Sequence, residues 1–270
     1  GVSHTHQLFL PRPAQTLAVA WKKASSIQDV RLRNMLLFFV EQAVWGLSIL
    51  NRYGPLHFSQ VNRYLTGAYY VGAQHAECSP WYILDGKLKR LLSTFRDAKV
   101  GTGDTAVTVG SAASLPLPES SIDYIFTDPP FGDNLPYAEL NFLVESWHRL
   151  LSQAKLDAIV DRSKQNRAAQ KSVGDYRRLM TACFSEYYRV LKPGRWMTVV
   201  FSNTQAAVWN SLQTALQEAG FVVANVSALD KMQGSFKSVT TTVAVKQDLV
   251  ISAYKPNGGL EARFVTAGGN

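Results

Sequence analysis

The stretch Ile122–Gly132 reads IDYIFTDPPFG, an apolar run that ends in an aspartate, two prolines and an aromatic ring. Consecutive prolines fix two φ angles and remove two backbone donors, so the chain after Phe126 can neither continue a paired strand nor begin a helix. The pattern predicts a buried strand that ends in a stiff, exposed corner. Open α/β sheets bind their ligands at such strand ends, whereas an ordinary aspartate turn explains most isolated Asp-Pro pairs.

The residues on either side of this stretch alternate between strand and helix patterns, which predicts an α/β fold with a mostly parallel sheet. Strands are predicted at 105–112, 120–128, 195–203, 221–231 and 244–255, the last two as an antiparallel pair. Helices are predicted at 139–151, 175–194 and 207–220, of which the last two end in Pro-Gly and in glycine.

The first part of the chain has a helical periodicity instead, in which apolar residues recur every three or four positions. It is clearest at 14–24 and at 29–53, whereas the aromatic interval 66–84 contains Gly and Pro and predicts irregular structure or a short hairpin. We therefore expect a helical segment at 1–103, a strand-and-helix core at 104–258 and a flexible tail at 259–270.

Composition narrows the class of protein. The 28 Lys and Arg residues exceed the 20 Asp and Glu residues and give a net charge of +8, which favours a polyanionic partner such as nucleic acid. Cys78 and Cys183 provide neither a disulfide framework nor a four-ligand zinc site, so a reducing, cytoplasmic compartment is expected. The spacing of the five histidines predicts no metal site.

The longest apolar stretch, Met35–Leu50, contains Glu41 and Gln42 and is too short to cross a bilayer. It predicts a buried helix, and no membrane association is expected. The chain starts at Gly1 without a charged or apolar leader, and we expect it to begin inside a longer protein.

Three segments resemble the catalytic half of bacterial amino-directed DNA methyltransferases of the adenine-specific Asp-Pro-Pro-Phe/Tyr group. They are residues 110–147, 186–203 and 243–256. The resemblance implies a Rossmann-like, S-adenosylmethionine-dependent methyltransferase sheet, incomplete in this chain, with 104–258 as its catalytic core. It implies that the helical segment at 1–103 contains a cofactor-helix start and a target-recognition or insertion region. Double-stranded DNA is the implied substrate, and a restriction or defence-system partner is compatible with it.

The same resemblance gives the corner a chemical role. Adenine N6 is a poor nucleophile because its lone pair is delocalised, and two acceptors on its N–H groups draw that pair out. Asp128 and the carbonyl of Pro129 are the implied acceptors, Pro130 stiffens the corner, and Phe131 stacks on a base flipped out of the duplex. Aspartate at 128 favours adenine, although transfer-RNA guanine-N2 methyltransferases share an Asp-Pro-Pro-Tyr-Gly motif. A non-catalytic DNA-binding remnant or methylase subunit is the third alternative.

The glycine-rich cofactor turn of the resembled family has no counterpart here. The segment VGTGD at 100–104 follows no strand pattern and is typical of a plain turn, so we expect the cofactor turn upstream of this chain. The resemblance places the cofactor's adenine near Ser111 and Ala112 and its methionine end near Phe9 and Arg12. A strand exit of small residues and a helix that starts with proline explain these four residues equally well.

Basic residues after the corner are candidate phosphate contacts, and a solvated helix face is their alternative explanation. They are Arg162, Lys164, Arg167, Lys171, Arg177 and Arg178. The loop KMQGSFKS adds Lys231, Phe236 and Lys237. In the resembled family this loop supplies a second wall for the flipped base, and Phe236 is the implied wall.

Overall fold

The computed structural model describes most of the chain in nine ranges. They are residues 4–56, 58–61, 69–98, 104–132, 137–153, 157–160, 170–203, 205–230 and 247–259. Contacts within the chain divide it into two compact units. The first unit comprises Gly1–Thr105 with Tyr137–Ala154, and the second comprises Ala106–Pro136 with Lys155–Asn270.

The first unit is mainly helical. After a short 3-10 helix at Thr5–Leu8, its elements are α1 (Pro11–Ser25), α2 (Val30–Leu47), β1 (Asn51–Gly54), β2 (Phe58–Val61), α3 (Pro80–Asp97) and α4 (Tyr137–His148). Proline occupies the first turn of α1 and α3, where its missing N–H costs nothing. The carboxylate of Asp29 caps α2 by accepting from the N–H of Leu32 at 2.7 Å.

Helix α2 is shorter than the periodicity at 29–53 predicts, because the chain turns at Ser48. The Ser48 hydroxyl donates to the carbonyl of Trp45 at 2.8 Å, and the buried Asn51 amide donates to the carbonyl of Gly46 at 2.8 Å. These polar side chains bind carbonyls in the last turn of α2, and Asn51 then begins the short antiparallel β1–β2 ladder. None of the described helices combines the length and apolar character needed to cross a bilayer.

The second unit has an α/β fold, as predicted. Its elements are β3 (Ile122–Thr127), α5 (Val173–Val190), β4 (Leu191–Phe201), α6 (Ala206–Glu218), β5 (Val222–Asp230) and β6 (Gln247–Tyr254). The sheet order is β3-β4-β6-β5, with β3 parallel to β4 and with β6 antiparallel to both of its neighbours. The predicted antiparallel pair at the end of the chain is confirmed. The described sheet is mixed rather than mostly parallel, because β6 lies between β4 and β5 and only the β3–β4 pairing is parallel.

The strand predicted at 105–112 is wrong. Residues 104–110 belong to no strand, and Val107 and Val109 are 91% and 104% exposed. Valine and threonine favour strands only where a neighbouring strand and a packed face are available, and this segment has neither among the described residues. Consequently β3 is an edge strand of the described sheet.

The helix predicted over 175–194 also ends earlier, at Val190. Leu191 already pairs with Ile122 of β3, and Pro193-Gly194 lies inside β4, where the register with β3 shifts. The ammonium of Lys255 explains the stop, because it donates to the carbonyls of Tyr188 at 2.8 Å and Leu191 at 2.9 Å. Lys255 is 7% exposed and therefore caps the carboxyl end of α5 from within the protein.

Candidate functional site

The Asp-Pro-Pro corner lies where β3 leaves the sheet. The parallel register joins Thr127 to Val199, two residues before β4 ends at Phe201. Both strands therefore end at the same edge, where open α/β sheets bind ligands. Asp128 is exposed at this edge, whereas Pro129 behind it is buried. The predicted corner is present, but only Asp128 of it is exposed, since Pro130 and Phe131 are half-buried and Pro129 and Gly132 are buried. The prediction of a buried strand before it is wrong, because no residue of β3 is fully buried.

Three donors from outside the corner bind the carbonyls that follow Pro129. The buried Tyr176 hydroxyl donates to the carbonyl of Pro130 at 2.8 Å, and the Asn203 side-chain amide donates to the carbonyl of Phe131. The N–H of Val160 donates to the carbonyl of Gly132 at 3.3 Å. These bonds come from α5, from the residues after β4 and from a separate loop, so three parts of the second unit fix the corner.

Gly132 allows the turn that closes the corner. Its φ of +83° lies in the left-handed region, which residues with a Cβ rarely adopt. A Cβ at this position would lie 2.8 Å from Cγ1 of Val208 and 3.1 Å from Nδ2 of Asn203. Glycine is therefore required at 132 both by its backbone angle and by its neighbours.

The Phe131 ring is half-buried and packs edge-on against Phe201, with ring centroids 5.6 Å apart. Phe201 in turn lies 6.1 Å from Trp209 of α6. This aromatic contact anchors the ring that the resemblance assigns to base stacking. In this T-shaped pair the rings are nearly perpendicular, so Phe131 and Phe201 do not stack face to face.

Two acceptors at the corner have no donor among the described residues. They are the carboxylate of Asp128 and the carbonyl of Pro129, for which the described part of the chain supplies no hydrogen bond. Partial burial raises the pKa of Asp128, and the neighbouring carboxylate of Asp248 raises this pKa further. Two successive residues of the corner therefore supply oxygen acceptors without a described donor, and the pKa of one of them, Asp128, is raised.

Asp248 is a site residue that the sequence did not single out. It is the second residue of β6, and β6 runs antiparallel to β4, so the first residues of β6 lie at the edge where β3 and β4 end. Tyr176 and Asn203 were missed as well. Asn203 follows the apolar run VVF at a predicted strand end, the same signal that drew attention to Asp128, but nothing in the local sequence marks Tyr176 or Asp248.

The predicted cofactor contacts lie in two places. Ser111 and Ala112 belong to a turn, in which the Ser111 hydroxyl accepts from the N–H of Ala113 at 3.3 Å, and residues 104–110 before them form no strand. Phe9 is 7% exposed and packs edge-on against Trp147 in the core of the first unit. Its core packing favours the structural explanation, and the cofactor role of all four residues stays a prediction.

Arg12 lines an open hollow of about 370 Å³ in the first unit. Its guanidinium is paired with the carboxylate of Glu77 at 3.0 Å, and Cys78 and Trp81 also line the hollow. The hollow is large enough for a small ligand. Arg12 is therefore available at a surface, whereas Phe9 is enclosed.

The predicted phosphate contacts are only partly described. Lys171 donates to the carbonyl of Asp157, Arg178 pairs with Asp175 at 2.6 Å, and Arg177 lies 4.0 Å from Glu218. Each of these three cations thus has an acceptor within the second unit, although Arg177 and Arg178 remain exposed on α5. Outside the described residues lie Arg162, Lys164, Arg167, Lys231, Phe236 and Lys237.

A family model described as DNA methylase matches residues 122–259, more than half of the 270 residues. The chain belongs to the DNA methylase family. The matched part of this DNA methylase begins at the first residue of β3 and ends five residues after β6. It therefore contains every described strand of the second unit and the Asp-Pro-Pro corner.

Solved structures similar to this DNA methylase include two from different organisms. A protein of Thermus thermophilus assigned as a DNA modification methylase, solved with S-adenosyl-L-methionine, is 16% identical over 56% of this chain and 55% of its own, with a TM-score of 0.33. A SAM-dependent methyltransferase of Methanosarcina mazei is 15% identical over 62% of this chain and 76% of its own, with a TM-score of 0.33. The chain spans about half the length of the Thermus structures that it matches. No curated protein sequence matches the chain.

Proposed function

We propose that this DNA methylase transfers a methyl group from S-adenosylmethionine to the N6 amine of an adenine flipped out of double-stranded DNA. The observation that carries the proposal is the pair of adjacent acceptors at the end of β3. The Asp128 carboxylate and the Pro129 carbonyl have no donor among the described residues, whereas the next three carbonyls are all bound. An exocyclic amine has two N–H donors and matches this pair.

The two acceptors act on the nitrogen lone pair. When Asp128 and Pro129 accept its two N–H groups, the amine moves toward tetrahedral geometry and its lone pair is no longer spread into the ring. When bound, S-adenosylmethionine would supply the methyl group: an N–C bond would form as the methyl C–S bond breaks, S-adenosylhomocysteine would leave, and the nitrogen would lose its transient positive charge with one of its protons. A carboxylate stabilises that charge better than a neutral acceptor does.

S-adenosylmethionine supplies an electrophilic methyl group on a positively charged sulfur. The charge of the site fits this end of the cofactor, because Asp128 and Asp248 place two carboxyl groups at one edge of the sheet. Ser111 and Ala112 are the candidates for the adenine end and form an ordinary turn. The described residues thus fit the reactive end of the cofactor and offer few contacts to the rest.

Base flipping follows from the position of the acceptors. An amine paired inside a duplex cannot reach a corner at the end of a strand, so the nucleotide must rotate out, at a cost of about a few kcal/mol. The half-buried ring of Phe131, held by Phe201, provides an apolar surface for the extruded base. The net charge of +8 supports a polyanionic substrate.

Methyl incorporation by the full-length protein tests the proposal. Labelled S-adenosylmethionine is supplied with double-stranded DNA or with transfer RNA, and the modified nucleoside is identified. We expect N6-methyladenine in DNA, its loss in Asp128→Ala with DNA affinity within about a few-fold of wild type, and normal transfer in the control Asp104→Ala. Asp104 is an exposed carboxylate of the described chain away from any strand.

Two results would contradict the proposal. Near-normal transfer by Asp128→Ala would remove Asp128 from the reaction. Methylguanine in transfer RNA, without methyladenine in DNA, would assign the corner to the guanine-N2 chemistry that shares its motif.

A further inference from the structure

The corner lacks the means to fix its own orientation. Pro129 and Pro130 have no N–H group, so neither residue can donate a turn hydrogen bond, and the carbonyls are the remaining backbone polar groups of this dipeptide. Rigid φ angles keep the two residues in a fixed shape. They do not determine how that shape is rotated with respect to the sheet.

Side-chain donors supply that orientation. The Tyr176 hydroxyl, 2.8 Å from the carbonyl of Pro130, belongs to a side chain with 0% exposure in the main core of the second unit. The Asn203 amide donates to the carbonyl of Phe131, and its oxygen accepts from the N–H of Gln205 at 2.6 Å. One donor is thus held by core packing, and the other by the start of α6.

The two bonds also determine which acceptors are left for a substrate. A carbonyl that already accepts a hydrogen bond has one lone pair occupied, so an incoming amine has more acceptor capacity at a carbonyl that accepts none. With the carbonyls of Pro130 and Phe131 bound, the Pro129 carbonyl is the one beside Asp128 that the described residues leave open. The donors therefore select the acceptor pair.

We infer that Tyr176 and Asn203 are positioning residues of the methyl-transfer site, which hold the Pro129 carbonyl and the Asp128 carboxylate at the spacing of an amine. This inference rests on the proposed function. Neither residue needs to touch the substrate, since each acts through the backbone of the corner. A misplacement of about 1 Å in a reacting group lowers the rate by about 100-fold, so the loss of either donor should slow the transfer step.

The test uses variants of the full-length protein that remove one donor while keeping the fold. Tyr176→Phe deletes a single hydroxyl, and Tyr188→Phe on the same helix is its control because its ring packs against Phe221 rather than the corner. Asn203→Asp keeps an oxygen for the N–H of Gln205 and loses the donor to Phe131, so it separates the cap of α6 from the corner. Asn203→Ala loses both bonds.

We expect kcat to fall by about 10- to 100-fold in Tyr176→Phe and Asn203→Asp, with KM for DNA within about three-fold of wild type. Base flipping, followed by the fluorescence of 2-aminopurine at the target position, should persist in both variants. The Tyr188→Phe control should keep its kcat. A purely structural role predicts the opposite for Asn203→Asp, namely a kcat close to wild type and a loss confined to Asn203→Ala.

The result for Asp128→Ala separates this inference from the proposed function. If Asp128→Ala is inactive while Tyr176→Phe and Asn203→Asp keep a wild-type kcat, the function stands and the positioning role is overturned. If Asp128→Ala transfers methyl groups normally, the proposed function itself fails. Loss of kcat in both donor variants, with DNA binding and thermal unfolding retained, supports the inference.

Discussion

Replacing Gly132 by alanine perturbs the corner at the point where backbone angle and packing both exclude a side chain. A residue with a Cβ in the left-handed region costs about 1–2 kcal/mol. The new Cβ would also lie 2.8 Å from Cγ1 of Val208, which is fully buried, and overpacking of a tight core costs about 1–3 kcal/mol. Alanine restricts the unfolded chain and returns about 0.4–1 kcal/mol, so the net loss should be about 1–5 kcal/mol.

Urea unfolding followed by tryptophan fluorescence measures this loss, since Trp209 belongs to the same unit and packs on Phe201. The matched control is Gly110→Ala, because an added Cβ at Gly110 meets nothing within 4 Å. Gly110→Ala should leave the free energy of unfolding within about 0.5 kcal/mol of wild type.

A double-mutant cycle with Val208→Ala identifies the source of the cost. Val208→Ala removes the atom that the new Cβ would meet but leaves the φ of +83° unchanged. The double variant should therefore be less destabilised than the sum of the single variants, by about 0.5–3 kcal/mol. Strict additivity would show that the contact with Val208 is unimportant. A Gly132→Ala variant as stable as wild type would refute the left-handed turn itself.

Four further predictions concern charge and the cofactor. The hydrogen bonds of Glu186 to Arg189 and to the N–H of Leu115 lower the pKa of Glu186 from 4.5 to about 2. Glu186→Gln should therefore be less stable than wild type at neutral pH. In thermal unfolding this difference in stability should close as the pH falls from 4.5 toward about 2. The pKa of Asp128 is raised, so its charged form destabilises the folded protein when the pH exceeds that pKa. Asp128→Asn should therefore unfold at a higher temperature than wild type near pH 7 and at the same temperature near pH 3. Lys255→Met should lose about 2–4 kcal/mol because two carbonyls lose their donor, whereas Lys192→Met at an exposed ion pair should lose about 0–1 kcal/mol in the same urea titration. Calorimetric titration of this chain with S-adenosylmethionine should show weak or no binding, since the described residues offer few contacts to a ligand of that size.

Each of these predictions has a contradicting outcome. A pH-independent deficit in Glu186→Gln would mean that the charge of Glu186 does not matter, and an Asp128→Asn variant less stable than wild type at neutral pH would mean that the carboxylate is stabilised rather than desolvated. Equal losses at Lys255 and Lys192 would remove the helix-capping role. A dissociation constant in the micromolar range or below would reveal a cofactor turn within residues 1–104.

The parts of the site that could be predicted from the sequence are those whose cause is local. Pro129 and Pro130 force a corner whatever surrounds them, and the apolar run before Asp128 is long enough to indicate its strand. The error at 105–112 has a non-local cause, because Thr105–Gly110 has the composition of a strand but no partner among the described residues. Helix α5 ends at Val190, four residues before the predicted Gly194, for a similar reason. Lys255, which lies 67 positions after Tyr188 in the sequence, binds the Tyr188 carbonyl in the last turn of the helix.

The donors that bind the corner could not be predicted from the sequence, because they are far from the corner along the chain. Tyr176 lies 46 positions from Pro130, and Asn203 lies 72 positions from Phe131. A tyrosine on a helix with an apolar face is ordinarily a core residue, which Tyr176 also is, and its hydroxyl acquires a further role only when α5 packs against the sheet. Asp248 becomes a neighbour of Asp128 only through the antiparallel placement of β6.

The edge position of β3 in the described sheet gives these distant donors a structural role. As the edge of the described sheet, β3 is hydrogen-bonded to β4 alone, and its Tyr124 and Phe126 side chains are 54% and 64% exposed. Its Ile122 and Ile125 side chains pack on the core, and the Tyr124 hydroxyl lies 2.6 Å from the Thr198 hydroxyl of β4. The hydrogen bonds from α5 and from the residues after β4 fix the corner beyond the last of these contacts. The acceptors at the end of this edge strand are therefore held in position by hydrogen bonds from the core side chain Tyr176 and from Asn203 to the backbone of the corner.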